Sequence, residues 1–351
     1  RQFRQMLCRE RKRSERSRKP LVLMLIDNEV LSKSKNDKTI LGQIAEKVAL
    51  VVRETDLTGW FEDGSVIGVI FTELGSAPVS SVTKIIESKV KAGLQGAFSP
   101  SQLGHLRISL YAFPEDSGRG ALVTARLYPD LVETEKRKKV PLLIKDAMDV
   151  VLSAFALLIL SPLFLVLAVI IKLTSKGPVF FRQERIGQYG VPFVFLKFRS
   201  MHVSKEADIH KEFMQNFIAG KPGFAVAGAN QKSVYKITND PRVTWIGKFM
   251  RRTSLDELPQ FWNVLKGEMS LVGPRPPIQY EFDVYDVWHR RRSLEVKPGI
   301  TGLWQIHGRS RTTFDEMVRL DLQYSRSWSP LLDLKILLQT PRAILTGDGA
   351  Y

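Results

Sequence analysis

The sequence predicts an α+β protein of two domains, a small one on a β-α-β-β-α-β plan and a larger, mainly helical one that enters a membrane. Three observations predict it. Strand-like apolar runs alternate with helical periodicity from Leu21 to about Glu115. An uncharged run of 22 residues occupies Val150 to Ile171. Between them, at Glu133 to Lys139 (ETEKRKK) and Pro141, the periodicity lapses and basic charge collects. A chain of 351 residues is long enough for two cores. The expected division is a first domain over 1–132, a basic linker over 133–144 and a second domain over 145–351 with a membrane helix at 146–175.

LVLMLID (Leu21 to Asp27) is apolar enough for a buried strand. A helix is expected from about Thr39 to Arg53. Leu57 to Phe61 and Val66 to Phe71 flank the polar tetrad EDGS and read as a hairpin. A second helix, about Val79 to Leu94, and the strand LRISLYAF (Leu106 to Phe113) complete a ferredoxin-like order. LVLMLID, VRETDLTGW (Val52 to Trp60) and the hairpin resemble the GGDEF domains of diguanylate cyclases. In that family the hairpin carries Gly-Gly-Asp-Glu-Phe, for phosphates and metal. Here Glu62, Asp63, Gly64, Ser65 and Val66 stand instead. The resemblance therefore implies a degenerate, nucleotide-cyclase-like domain used for regulation or association, with homodimerisation among its roles. Asp27 and Glu29 match first-strand metal-site acids or are a solvated strand end.

The formal charge of +16 asks for a polyanionic partner: nucleic acid, an anionic membrane or a phosphorylated substrate. The only cysteine, Cys8, excludes an internal disulfide framework. The first 19 residues carry nine Lys or Arg and two Glu, without the order of a signal peptide. The start on Arg1 suggests a longer native protein.

The apolar run VVLSAFALLILSPLFLVLAVII is long enough to cross a bilayer, but Ser161-Pro162 breaks it in the middle. Lys136 to Lys139 and Lys145 precede it; Lys172, Lys176, Arg182 and Arg185 follow. Positive charge at both ends places both on the cytoplasmic face, and each half is too short to span. The inference is a re-entrant helix-break-helix, in place of a spanning helix or a buried soluble one.

GPVFFRQERIGQYGVPFVFLKFRSM (Gly177 to Met201) reads as two aromatic-rich strands around a turn. Arg182, Arg185, Lys197 and Arg199 are spaced so that several share a side; lipid headgroup contact competes as their role. Asp240-Pro241-Arg242 and then RRTSLDELPQFWNVLKGEMSLVGPRPP (Arg251 to Pro277) follow. Asp256 and Glu257 are adjacent carboxylates just before a helix, since Pro259 fits only a first turn. A helix N-terminus keeps carboxylates ionised and accepts phosphate. Ser254 with Glu257 also matches a capping box, and by themselves the two roles are balanced. Arg251, Arg252 and Gly273-Pro274-Arg275-Pro276 favour phosphate chemistry, because a guanidinium makes planar two-point contacts.

The ordered pieces KDAMD (Lys145 to Asp149), Ser161-Pro162, GPVFF, KFRSM, SLDELPQ, NVLKGEMSLVGPRP, KPGITGLWQIHGR (Lys297 to Arg309) and SPLLDLKILLQT (Ser329 to Thr340) closely resemble the monotopic phosphoglycosyl transferases, also called bacterial sugar transferases. The resemblance runs from Lys145 almost to the C-terminus. It implies transfer of sugar-1-phosphate from a UDP-sugar to polyprenyl (undecaprenyl) phosphate through a phosphosugar-aspartyl intermediate, with release of UMP. It implies Asp256 as nucleophile and Glu257 as its partner, both at a Mg2+ site. Arg251, Arg275 and Lys197 match functional cations; Arg185 and Arg199 join them as candidate phosphate ligands. Asp149 matches a residue that anchors the re-entrant helix, and Ser161 and Pro162 its break. The family's usual Lys-Arg pair is Lys145-Asp146 here, and the stretch Glu206 to Lys236 matches nothing that fixes a sugar.

Tyr285 to Arg292 (YDVWHRRR) mixes aromatics and cations like a surface-lying membrane helix, and Leu331 to Leu345 reads as more membrane-facing surface. His289 and His307 lack metal-ligand spacing and read as packing or surface residues. The expected location is the bacterial inner membrane, with both domains on its cytoplasmic face, and no nucleic-acid partner is expected. A membrane-anchored, nucleotide-responsive regulator is the alternative function.

Overall fold

Strand side chains alternate between two faces, and in the first unit, Arg1–Arg137, helices bury both. The computed structural model describes residues 2–28, 35–75, 78–99, 103, 105–114, 125–202, 214–219, 242–307 and 312–345. Strands β1 (Leu21–Asn28), β2 (Leu57–Glu62), β3 (Val66–Phe71) and β4 (Leu106–Phe113) form an antiparallel sheet in the order β2-β3-β1-β4. Helices α2 (Lys35–Val51) and α3 (Val79–Gln95) complete the β-α-β-β-α-β order. Val22, Met24 and Ile26 of β1 pack with Leu41, Ile44 and Val48 of α2 and with Ile86, Val90 and Leu94 of α3. Glu29 lies outside the described residues.

Leu21, Leu23 and Leu25 face the other way and are equally buried. Helix α1 (Gln2–Ser17) packs on that side, against β1 and β2. Phe3 sits where the facing glycines Gly59 and Gly68 leave a notch; a Cβ on Gly68 would come within 2.3 Å of its ring. The sequence presented this segment only as charge. Its buried stripe is Phe3, Leu7, Arg11 and Ser14, half of it polar, which hides the periodicity.

The segment expected as a linker is helical. Lys138 alone separates helix α4 (Pro129–Arg137) from α5 (Lys139–Ile159), and α6 (Ser161–Thr174) follows the break. Among the described residues no single helix is long and apolar enough to cross a membrane, but α5 and α6 together pass by length and composition, bent by 60°. The bend falls where Ser161 Oγ donates to the Leu158 carbonyl at 2.8 Å and Pro162 opens the next helix, where its missing N–H costs nothing.

Helix α5 is inside out. Its buried residues are Lys145, Asp149 and Ser153, one turn apart, while Val151, Phe155, Leu158 and Ile159 are exposed, Leu158 at 73 %. On α6 Leu167 and Ile171 are buried, yet Leu165, Val166, Val169 and Leu173 are exposed. A soluble helix has the reverse pattern.

The second unit, Lys138–Tyr351, continues with the antiparallel hairpin β5 (Phe180–Ile186) and β6 (Pro192–Phe198). Then come α7 (Trp245–Arg252), α8 (Gln260–Leu265), β7 (Ser270–Val272), α9 (Gln279–Asp283), α10 (Val287–Glu295), β8 (Gly299–Thr301), α11 (Leu303–His307), α12 (Phe314–Ser327) and α13 (Pro330–Leu345). β7 and β8 pair in parallel, with Val264, Met269, Leu271, Tyr324 and Trp328 in the core beside them.

Candidate active site

The carboxylates come first. Asp256 and Glu257 lie on a short 3-10 turn, Leu255–Glu257, entered through Ser254 at φ 57°. A left-handed serine is an uncommon conformation, and it swings the side chain away from the cap position. Ser254 makes no capping bond, so the capping-box alternative is not what the structure adopts. Asp256 is buried. Glu257 Oε1 takes Lys197 Nζ at 2.8 Å and Arg275 Nη1 at 3.5 Å.

Lys197 reaches Glu257 because of strand register and one asparagine. In the hairpin Phe181 pairs with Lys197 and Arg185 with Phe193, so Arg185 and Lys197 share a face with Phe195 between them. Exposed Arg182, opposite Leu196, lies on the other face. Asn263 of α8, buried, donates from Nδ2 to the Val194 carbonyl at 2.7 Å and accepts the Leu196 N–H at 3.1 Å. Its amide replaces a strand partner on β6 and holds the helix behind the carboxylates against the strand bearing Lys197. Burial pushes the Lys197 pKa down, and Glu257 opposes the shift.

Arg275 is fixed through the carbonyls around it. Pro274 O accepts from Gly299 N at 2.8 Å, Arg275 O from Arg292 Nη2 at 3.0 Å, Pro276 O from Arg185 Nη1 at 2.6 Å, and Pro277 O from Ile186 N at 2.9 Å. The approach is close enough to require glycine: a Cβ on Gly273 would lie 2.3 Å from the Lys297 carbonyl, and one on Gly299 2.0 Å from Gly273 N. KPGITG is thus the backing of GPRP.

Two of the expected phosphate ligands contact the frame. Arg185, buried, holds Pro276 O, bonds Gln183 Oε1 and lies 4.4 Å over the Phe195 ring. Arg199 Nη2 donates to the carbonyl and hydroxyl of Ser175, both at 2.7 Å, tying the exit of α6 to the end of β6. Arg251, half-buried in the last turn of α7, forms no ion pair among the described residues. Asp240, Pro241 and most of Glu206 to Lys236 lie outside those residues.

Below the turn, α5 is anchored through its polar stripe. Asp149 Oδ1 accepts the Leu271 N–H at 3.0 Å. Lys145 Nζ donates to Asp333 Oδ2 at 2.6 Å and to the Val272 carbonyl at 3.1 Å; Tyr324 and Trp328 also donate to Asp333. Helix α5 is therefore bonded to the strand that leads into Gly273.

Several contributors escaped the sequence reading. Arg292, 2 % exposed, pairs with Asp321 at 2.8 Å and bonds the Arg275 carbonyl, so α10 is not a surface-lying helix along this face. Burial pushes the Asp321 carboxyl up to about 6, with Arg292 opposing. Glu281 is buried near Arg185, Arg275 and Arg292; burial raises its pKa and these arginines oppose. His289 is a packing residue: it accepts from Asp286 N at 3.1 Å and lies 3.1 Å from Asp315. Burial lowers its pKa, with Asp315 opposing. On α13 Leu331, Leu334 and Leu338 form an exposed apolar stripe.

The bacterial sugar transferase family model matches residues 140–347. The chain is 40 % identical over 223 residues to an undecaprenyl-phosphate galactose phosphotransferase of Salmonella typhimurium, covering 63 % of this chain and 44 % of that protein. It is 40 % identical over 210 residues to the exopolysaccharide production protein ExoY of Rhizobium meliloti, covering 59 % and 88 %. It is 44 % identical over 217 residues to a UDP-glucose:undecaprenyl-phosphate glucose-1-phosphate transferase of Escherichia coli, covering 60 % and 42 %. The chain thus spans less than half of the Salmonella and Escherichia proteins. A crystal structure of a DGC protein from Thermotoga maritima aligns with a TM-score of 0.26 and 18 % identity, over 33 % of this chain and 80 % of that one.

Proposed function

This chain belongs to the bacterial sugar transferase family, and from that premise we propose that it transfers sugar-1-phosphate from a UDP-sugar to polyprenyl phosphate on the cytoplasmic face of a bacterial inner membrane. An Asp256 carboxylate oxygen attacks the sugar-bearing phosphorus, and the bond to the inner phosphate breaks to release UMP. A polyprenyl phosphate oxygen then attacks the phosphosugar-aspartyl intermediate, giving a diphosphate-linked sugar and restoring Asp256. A carboxylate nucleophile divides one difficult transfer into two.

The carrying observation is the gathering of Glu257, Lys197 and Arg275 beside buried Asp256. Lys197 and Arg275 offset phosphate charge as it builds, and Arg251 completes the set from α7. Among the described residues no cluster of three metal-ligating side chains occurs. Mg2+ takes one or two carboxylates and fills its shell with water and substrate phosphates, a demand that the adjacent Asp256 and Glu257 fit. Asp256 and Glu257 would hold it, and it would supply charge neutralisation of the diphosphate. The apolar outer faces of α5 and α6 support re-entrant entry: α6, 14 residues, is about 21 Å long, short of a hydrocarbon core of about 30 Å. The strand order of the first unit and the altered Glu62 to Val66 hairpin support a degenerate GGDEF-like role in regulation or association.

The test is product analysis with UDP-sugars and polyprenyl phosphate. UMP release is expected; release of UDP overturns phosphosugar transfer. Label from the sugar-bearing phosphate should be trapped on the protein and lost in Asp256→Asn.

A further inference from the structure

Helix α1 separates its cations by face. Arg11 is fully buried, bonds Asp130 through two nitrogens at 2.9 and 2.8 Å and the Leu127 carbonyl at 3.0 Å, and stacks on Tyr128. Arg9, Lys12, Arg13 and Arg16 are exposed at i, i+3, i+4 and i+7, one stripe of the opposite face. Arg13 reaches Glu10 at 3.6 Å; among the described residues Arg9, Lys12 and Arg16 make no ion pair. The charge is local, too. Residues 1–19 hold nine Lys or Arg against two Glu, whereas residues 20–137 hold thirteen against fifteen acids.

We propose that the Arg9, Lys12, Arg13 and Arg16 stripe is a docking surface for the anionic headgroups of the membrane that α5 and α6 enter. Phe3 in its glycine notch and Arg11 on Asp130 fix the helix, so little freedom is left to lose on binding. Asp130 lies on α4, and a single residue separates α4 from α5, so the chain tethers α1 to a helix of the membrane-entering pair and gives it a higher effective concentration of headgroups than of a free polyanion. Headgroup attraction falls off within a Debye length, so added salt should weaken it. The inference rests on membrane entry by α5 and α6.

The full chain is reconstituted in nanodiscs as Cys8→Ser with one fluorescent label at Gln5→Cys, on the same stripe, or at Leu158→Cys, near the helix break. Quenching by nitroxide lipids is compared between phosphatidylcholine and phosphatidylglycerol. The Leu158 label should be quenched in both. The Gln5 label should be quenched roughly threefold more in phosphatidylglycerol, and added salt should remove the difference. Replacing the four cations by Gln should abolish it, and Arg→Lys changes at 9, 13 and 16 should keep it. Equal Gln5 quenching in the two lipids with Leu158 still quenched overturns the proposal. Loss at Leu158 overturns membrane entry instead. If an oligonucleotide displaces the Gln5 signal with the same dependence on the stripe, the partner is nucleic acid and the proposal fails.

Discussion

At the scale of single residues, the site is a carboxylate turn whose charges are met from elsewhere in the chain. Arg275→Ala should lower kcat/KM by about 10²- to 10³-fold, and Arg275→Lys should restore little, because an ammonium lacks the planar fork. UMP release against substrate concentration checks both. Ser254 gives a sharper contrast. As a cap, its change to alanine would cost about 1 kcal/mol; since it makes no capping bond, Ser254→Ala should leave thermal stability within about 0.5 kcal/mol. Asp321 supplies a pH signature. Its folded pKa of about 6 lies above the ordinary carboxylate value, so the folded state gains protons as pH falls from about 6 toward 4 and this group then favours folding. Protonation also removes the charge that pairs with Arg292 behind Arg275. Activity should therefore fall through about pH 6 while Tm does not. In Asp321→Asn that inflection should vanish.

At the scale of elements, what was legible depended on how local its cause is. The strands of the first unit were readable to within a residue or two because apolar runs such as LVLMLID report burial directly. The helix break was readable because proline acts on its own turn. Helix α1 was not, since a buried arginine paired with Asp130, 119 positions away, looks in sequence like one more surface cation. Asn263 bonding β6 and Arg292 bonding Asp321 were hidden for the same reason. The dyad and Arg275 were legible as candidates; that Arg185 and Arg199 contact the frame required the fold. The anchoring of α5 is itself testable. Lys145→Met leaves Asp333 buried without its cation and should destabilise the second unit by about 3–5 kcal/mol. Denaturant unfolding in detergent measures it.

For the whole molecule, the candidate site lies within one of the two units. All the residues gathered around Asp256 belong to Lys138–Tyr351, so a chain cut to 138–351 should still release UMP in detergent at a rate within a few-fold of the full chain. A loss of activity that added first unit does not restore would show the site to be incomplete without it. Exposed apolar residues on α5, α6 and α13 should keep that fragment dependent on detergent or lipid.

The turn at Arg275 has one more consequence, for cooperativity. Its carbonyls are held by Gly299, Arg292, Arg185 and Ile186, donors between 17 and 91 positions away along the chain. No local fragment can assemble such a turn, and melting any contributing segment releases it. Catalytic competence should consequently be an all-or-none property of the second unit: on heating, UMP release and tertiary structure should be lost at one shared midpoint, without a partly unfolded form that still turns over.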